Sequence, residues 1–296
     1  MAQGASDLPA GVRALSPCGV RRWTAGRGER ASRRDVPFAA HNYLWKTHSA
    51  DSVAAPVART RVVVAESNLR GYRGLTLDAF GSLLEDGPGH VPAALDRIVQ
   101  ELHVGLDPPA LSTLWREAIR HHRETEPFQA YREVHRRAFH EIFDRLGIRS
   151  SVDDPVDETF EGYRRAKAFP EVTSVLNELE REVPIAVVSN MDTRLLLEVL
   201  QNNGLAFTFV ITSEEEQRYK PALSLFRRAV RYLGLPAAHV LHIGDSYDED
   251  VVGATSAGMG ALRIRRGRSP TDPPEDRTGV DDLRGVQNVL RESWKD

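Results

Sequence analysis

The chain has almost no cysteine: Cys18 is the only one in 296 residues. Disulfides within the chain and thiolate zinc sites are thereby excluded. Lysine is nearly as scarce, occurring only at positions 46, 167, 220 and 295, while arginine is the habitual cation. No apolar run reaches the roughly 18 residues of a membrane helix. Nor does the N-terminal stretch contain the apolar core of a signal peptide. These absences predict a soluble, cytoplasmic protein with no membrane partner. One further scarcity is positional: for about a hundred residues after position 79, no short apolar run reads as a strand.

What is present is ordinary in amount and uneven in place. Apolar content of 41% and charged content of 27% are globular values. Residues 1–70 hold eleven Lys or Arg against five Asp or Glu, and the remainder holds 28 against 37. The acidic balance of that larger part argues against nucleic acid as its main partner. Residues 1–70 show no sustained periodicity. They read as a disordered tail or as translated upstream sequence, with an Arg-rich transit peptide as the alternative. Within them RVVVAE, 61–66, has the pattern of a short strand.

From residue 72 the punctuation is clean. Strands are predicted at 74–79, 184–190, 207–213, 239–246 and 261–266, with helices at 193–203, 221–233 and 249–258 between the last four. Strands alternating with helices imply parallel βαβ units. Apolar strands without polar alternation are covered on both faces. The fold class is therefore α/β, a doubly wound, Rossmann-like parallel sheet. The strand-free stretch reads as helices near 91–103, 109–123, 129–146 and 156–167, followed by 172–182 returning to the sheet. It looks like a helical insertion after the first strand.

Polar residues fall at the strand ends, where open parallel sheets bind ligands. The first strand ends on Asp78, the second on Ser189-Asn190, and the fourth on Asp245-Ser246; the loop after the third carries Lys220. Turns favour Ser, Asn and Asp anyway, but four such groups at successive strand ends predict one shared crevice. Lysine retained at 220, where arginine is the habit, suits a compact charge facing phosphate or carboxylate. Asp245, Asp248, Glu249 and Asp250 crowd a strand-to-helix junction. Such acids are stabilised by a helix N-terminus and also suit a hard divalent cation.

These residues together resemble the haloacid dehalogenase superfamily of hydrolases. DAFGSL at 78–83, VVSN at 187–190, Lys220-Pro221 with Phe226 behind it, and IGDSYDEDVVGATSAGM at 243–259 are similar to its four motifs. Leu223 stands where many members carry proline. The resemblance implies a hydrolase core at 71–87 and 169–296 and a helical cap at 88–168. It implies Asp78 as nucleophile, with Ser189, Asn190 and Lys220 holding the transferring group and Asp250 orienting Lys220 or a bound water. It also implies a Mg2+ cofactor on Asp78, Asp245 and the backbone carbonyl of Phe80, and a small anionic substrate.

Phe80 departs from the pattern. Phosphatases of the family carry a second Asp there, which protonates the leaving group. General acid–base help is worth about 10²–10⁴-fold. Three readings follow. The preferred one is a magnesium-dependent phosphatase that finds its proton elsewhere or needs none. The second is a haloacid dehalogenase, whose halide leaves unprotonated and whose relatives carry an aromatic here. The third is a non-catalytic relative that binds a phosphorylated ligand. A phosphonate-cleaving variant would need a cap lysine, for which only Lys167 is available.

Several side chains have two readings. The run His121-His122-Arg123 either reaches the site and supplies the missing acid, or its histidines are solvated, as His135 and His140 are expected to be on neighbouring predicted helices. His242, Trp115, Tyr131, Phe139 and Phe143 read as core. Arg263, Arg265 and Arg266 read as a strand end with solvated arginines, or as a patch for an anionic substrate tail.

Overall fold

The computed structural model describes residues 71–85, 94–95, 97–98, 108–266 and 279–294. The predicted strand at 61–66, the N-terminal segment 1–70 and most of the predicted helix at 91–103 lie outside these residues.

Five strands form one parallel sheet: β1 (Gly74–Leu77), β2 (Ile185–Ser189), β3 (Phe209–Thr212), β4 (Val240–Gly244) and β5 (Gly260–Arg263). Their order is β3-β2-β1-β4-β5, so β1 sits at the centre between β2 and β4. Alternation along the strands divides the sheet into two apolar faces. Leu75, Leu77, Ile185, Val187, Leu241 and Ile243 belong to one cluster. Ala186, Val188 and Ile211 turn the other way. Each fully buried aliphatic side chain contributes roughly 1.5–3 kcal/mol, so this two-sided pattern fixes the strand register.

Helices cover both faces. On the first lie α4 (Val172–Leu179), α5 (Thr193–Asn202) and α8 (Leu283–Trp294). On the second lie α6 (Leu223–Leu233) and α7 (Val252–Ser256). The sequence reading did not include α8, although Leu283, Val286 and Leu290 form a fully buried stripe at helical spacing. The predicted helix at 249–258 is a wider turn over Tyr247–Val251 that passes into α7.

Between β1 and α4 the chain forms α1 (Pro108–Glu124), α2 (Tyr131–Leu146) and α3 (Asp153–Arg165). These pack in sequence through Trp115, Phe139, Phe143 and Phe160. The chain leaves and re-enters the sheet layer side by side. Leu84 pairs antiparallel with Ala168, Glu85 N donates to Lys167 O at 2.8 Å, and Phe169 N donates to Leu83 O at 3.1 Å. The start of α2 has no side-chain cap of its own. Instead Asp192, just beyond β2, accepts from Tyr131 N at 2.6 Å and Arg132 N at 3.1 Å. A carboxylate from a distant segment thus satisfies orphan amides at the positive end of the helix.

Candidate active site

Asp78 follows β1 directly, and its backbone N donates to Ile243 O at 2.8 Å. That bond fastens the residue to the end of β4, so its carboxylate stands beside the loop carrying Asp245. Lys220 reaches in from the loop after β3. Its Nζ donates to Asp78 Oδ1 at 2.5 Å and to Asp250 Oδ1 at 2.6 Å. All three are at least 95% buried. Charge-assisted bonds of this length, shielded from water, are strong and directional.

Asp250 is held from every side. His242 Nε2 lies 3.1 Å from its Oδ1, and Ser246 N donates to Oδ2 at 3.0 Å. The carboxylate only accepts, so His242 carries its proton on Nε2, and Thr76 Oγ1, 2.8 Å away, donates to Nδ1. Burial opposes the charge on Asp250, but Lys220 and His242 outweigh it and hold the carboxyl below the usual range. At Asp78 burial wins: the carboxyl is pushed up to about 7 despite the pull of Lys220. Burial likewise opposes the Lys220 charge, yet Asp250 and Asp78 keep that ammonium above the ordinary lysine range.

Two glycines make this crowding sterically feasible. A Cβ on Gly81, at φ +86°, would stand 2.5 Å from Asp245 Oδ2, and one on Gly244 would stand 2.2 Å from Asp250 Cγ. Carboxylate oxygens of Asp78, Asp245 and Asp250 all lie within 4.8 Å of one another. Arg263 Nε donates to Asp245 O at 2.8 Å and fixes the loop from behind.

Ser189 and Asn190 end β2 within the same crevice. Asn190 Oδ1 accepts from Lys220 N at 2.7 Å, and its Nδ2 donates to Glu249 Oε2 at 2.8 Å. Glu249 Oε1 in turn accepts from Arg123 Nη1 of α1. Arg123 Nη2 donates to the Tyr131 hydroxyl at 3.2 Å, and the guanidinium lies over the rings of Tyr131 and Tyr219. Tyr219, next to Lys220, donates its hydroxyl to Gln129 O at 2.7 Å and stacks on Phe128. The corner between α1 and α2 is therefore fastened at three points. Asp192, Tyr219 and Glu249 each stand one or two residues from Asn190, Lys220 or Asp250.

The resulting cleft has a volume of about 430 Å³. Its lining combines the polar group Asp78, Ser189, Lys220, Asp245 and Asp250 with the rings of Phe80, Trp115, Tyr131 and Tyr163. Phe80 meets Tyr163 edge-on, with ring centroids 5.2 Å apart. Among the described lining residues the remaining carboxylate is Glu249, already bound to Arg123 and Asn190.

The structure gathers Asp78, Ser189, Asn190, Lys220, Asp245, Asp250 and Phe80 around one cleft. It separates others from it. His121 and His122 do not line the cleft; the residue of the last turn of α1 that faces it is Arg123. Lys167 is exposed and also outside the cleft, which removes the lysine that phosphonate cleavage needs. His135 is buried rather than solvated, with Nδ1 2.9 Å from Tyr131 O. Trp115 and Tyr131 are core residues that double as cleft wall. Arg263 and Arg266 are not solvated: the first holds Asp245 O, and the second donates to Ser82 O and pairs with Glu171. Of the run His121-His122-Arg123 only Arg123 reaches the cleft, while sequence reasoning missed Asp192 and Tyr219. Their one signal is that Asp192 and Tyr219 flank the motif residues.

Comparison with known proteins agrees with this geometry. A phosphoserine phosphatase of Thermus thermophilus is 33% identical over 157 residues, covering 51% of this chain and 62% of that protein. A glyceraldehyde 3-phosphate phosphatase of Methanothermobacter thermautotrophicus is 29% identical over 133 residues, covering 42% and 59%. The chain thus spans about three-fifths of the length of these relatives. Solved structures share the fold. L-2-haloacid dehalogenase from Xanthobacter autotrophicus superposes with a TM-score of 0.58 at 20% identity, covering 75% of this chain and 99% of that one. A magnesium-bound HAD-hydrolase of Bacillus subtilis gives 0.62 at 18%, covering 75% and 100%. The family model of haloacid dehalogenase-like hydrolases matches residues 72–258, more than half the chain, including Asp78, Ser189, Lys220, Asp245 and Asp250. The chain belongs to the haloacid dehalogenase-like hydrolases.

Proposed function

We propose that this hydrolase cleaves small phosphate monoesters, with Asp78 as nucleophile and magnesium as cofactor. The observation that carries this reading is the acid cluster: Asp78 and Asp250 close on the Lys220 ammonium, and a carboxylate oxygen of Asp245 lies within 4.8 Å of theirs. Three carboxylates against one lysine leave a negative excess in a buried place, which a hard dication with oxygen donors relieves. The donor set fits. Asp78 and Asp245 would hold the ion with the Phe80 carbonyl, while Asp250 has both oxygens committed to Lys220, His242 and Ser246 N. Bound there, magnesium would neutralise charge on the phosphoryl oxygens and orient them.

The chain's own residues supply the rest. Ser189 and Asn190 hold the transferring group, and Lys220 adds a compact positive charge. Lys220 takes Asp78 Oδ1, and no described hydrogen bond reaches Oδ2, which supports Oδ2 as the attacking oxygen. Asp78 bonds to phosphorus as the bond to the leaving oxygen breaks, giving an aspartyl phosphate and the freed alkoxide or aryloxide. Water then attacks that phosphorus, releasing inorganic phosphate and restoring the carboxylate. Phe80 has no proton to give, so the leaving oxygen takes its proton from solvent. Esters whose leaving oxygen is stable as an anion are therefore the better substrates. Helices α1–α3, within the segment 88–168, act as a cap that closes the cleft against water. The phosphatase names of the two curated relatives support a phosphorylated substrate.

The second reading, C–halogen hydrolysis, is favoured by one observation. Phe80 and Tyr163 make an apolar wall of the kind a halide-bearing carbon would occupy. Trapping separates the two. The chain is mixed with 4-nitrophenyl phosphate and magnesium, quenched in acid and reduced with borohydride, and its peptides are analysed by mass spectrometry. A reduced residue at position 78, dependent on substrate, supports the phosphatase. Absence of the label at 78, with halide released from 2-chloropropionate, refutes it.

A further inference from the structure

His121 and His122 remain unused by the cleft, and their surroundings are specific. Both come from the last turn of α1, and Glu141 faces them from α2. One nitrogen of each imidazole and one carboxylate oxygen lie within 4.8 Å of one another. His122 Nε2 stands 3.0 Å from Glu141 Oε2. That nitrogen is shut off from solvent and makes no properly directed hydrogen bond. An imidazole nitrogen shut off from solvent 3.0 Å from a carboxylate oxygen, with a second imidazole beside them, is an arrangement that a cation between them completes.

We propose that His121, His122 and Glu141 form a transition-metal site, of the zinc class, that joins α1 to α2; His122 and Glu141 line a groove separate from the catalytic cleft, and His121 stands beside them. The dimensions agree. Two imidazoles on one tetrahedral zinc, at about 2.0–2.1 Å, have their ring centres about 5 Å apart. The rings of His121 and His122 are 5.0 Å apart. Nitrogen and oxygen ligands on the same ion stand about 3.3 Å from each other, close to the 3.0 Å separating His122 and Glu141. The ligand oxygen is also oriented from behind: Arg145 Nη2 takes Glu141 Oε1 at 2.5 Å, leaving Oε2 toward the histidines. Two imidazoles with one carboxylate select zinc and its neighbours over magnesium or calcium. His140 and Asp144 line the same groove, where water can complete the shell. Arg137 and Arg145 also border it and repel a cation, so the affinity is micromolar rather than nanomolar. Arg123 follows His122 in the chain and faces the cleft. Metal in the groove therefore steadies the end of α1 that meets Glu249.

The test is calorimetric titration of the untagged full-length chain with zinc, with magnesium in excess to occupy the acid cluster. Cobalt absorption in the visible range provides a second readout of coordination. The wild type should take up one zinc in the micromolar range. His121→Ala and His122→Ala should each weaken it by roughly 10-fold or more, since even outer partners of a metal ligand are worth that much. Asp245→Asn should leave this site unchanged. Should His122→Ala fail to fold, the exposed His121 decides the matter through its own variant. No zinc uptake by the wild type, uptake indifferent to both histidines, or uptake lost on Asp245→Asn would each overturn the site.

Discussion

The two walls of the cleft are built on opposite terms. The sheet side is a buried knot of charge: Asp78, Lys220, Asp250 and His242 each have named partners between 2.5 and 3.1 Å. The helical side is aromatic, with Trp115, Tyr131 and Tyr163 packed around His135. The chain Arg123–Glu249–Asn190 is a polar connection between cleft side chains of the two. The contrast teaches where chemistry and selectivity reside. Charges fixed at strand ends by backbone and glycine geometry can support a reaction. A ring-lined helical wall sets shape and excludes water.

The largest expected effect breaks the charged wall. Lys220→Ala leaves Asp78 and Asp250 buried without their shared cation, so it should cost roughly 3–5 kcal/mol of stability and abolish turnover. Denaturant melts and phosphate-release assays read both. The next breaks the connection instead. Arg123→Ala frees Glu249 and should lower kcat/KM roughly 10²-fold through misplacement of α1. Glu249→Gln should do the same more mildly, and both should leave the unfolding of the sheet layer nearly unchanged. Loss of stability comparable to Lys220→Ala would erase the distinction between the walls.

Smaller effects sharpen it. Phe80→Asp moves a carboxyl into the aromatic wall and should raise alkyl phosphate turnover by roughly 10-fold, short of full acid catalysis because nothing there tunes it. Aryl phosphates should gain little. A separate effect concerns His135, whose burial pushes its imidazole down to about 3. The unfolded chain takes up this proton near pH 6.5 and the folded one only near 3, so its contribution is complete above about pH 6.5 and is lost as pH falls. The slope approaches roughly 1.4 kcal/mol per pH unit between those values. His135→Gln should flatten this acid loss in urea melts at pH 4–7 while leaving the magnesium response unchanged.

The charged wall was legible in the sequence and the aromatic wall was not. Asp78, Ser189, Asn190, Asp245 and Asp250 stand at the ends of apolar runs, and Lys220 is a lysine among arginines, so each is marked by its own neighbours. The parallel doubly wound sheet was legible for the same reason, since each strand is a short apolar run bounded by turns. A helical wall carries no such mark. Which side of α1 meets the cleft depends on rotation about its axis, and one position of error exchanges His122 for Arg123. Arg263 and Arg266 look solvated by composition, yet both are spent on backbone carbonyls that become neighbours only after folding. Helix α8 was overlooked because its stripe, Leu283, Val286 and Leu290, follows a stretch rich in proline and charge.

Phosphoryl transfer at this cleft is proposed to need magnesium and to proceed without a general acid. It is tested most directly by rates on a series of phosphate monoesters, from 4-nitrophenyl phosphate to a simple alkyl phosphate, with magnesium and with excess chelator. Halide release from 2-chloropropionate is followed alongside. The account predicts turnover that requires magnesium, falls steeply as the leaving oxygen becomes more basic, and releases no halide. Halide release that persists in chelator, with no phosphate freed from any ester, would contradict it.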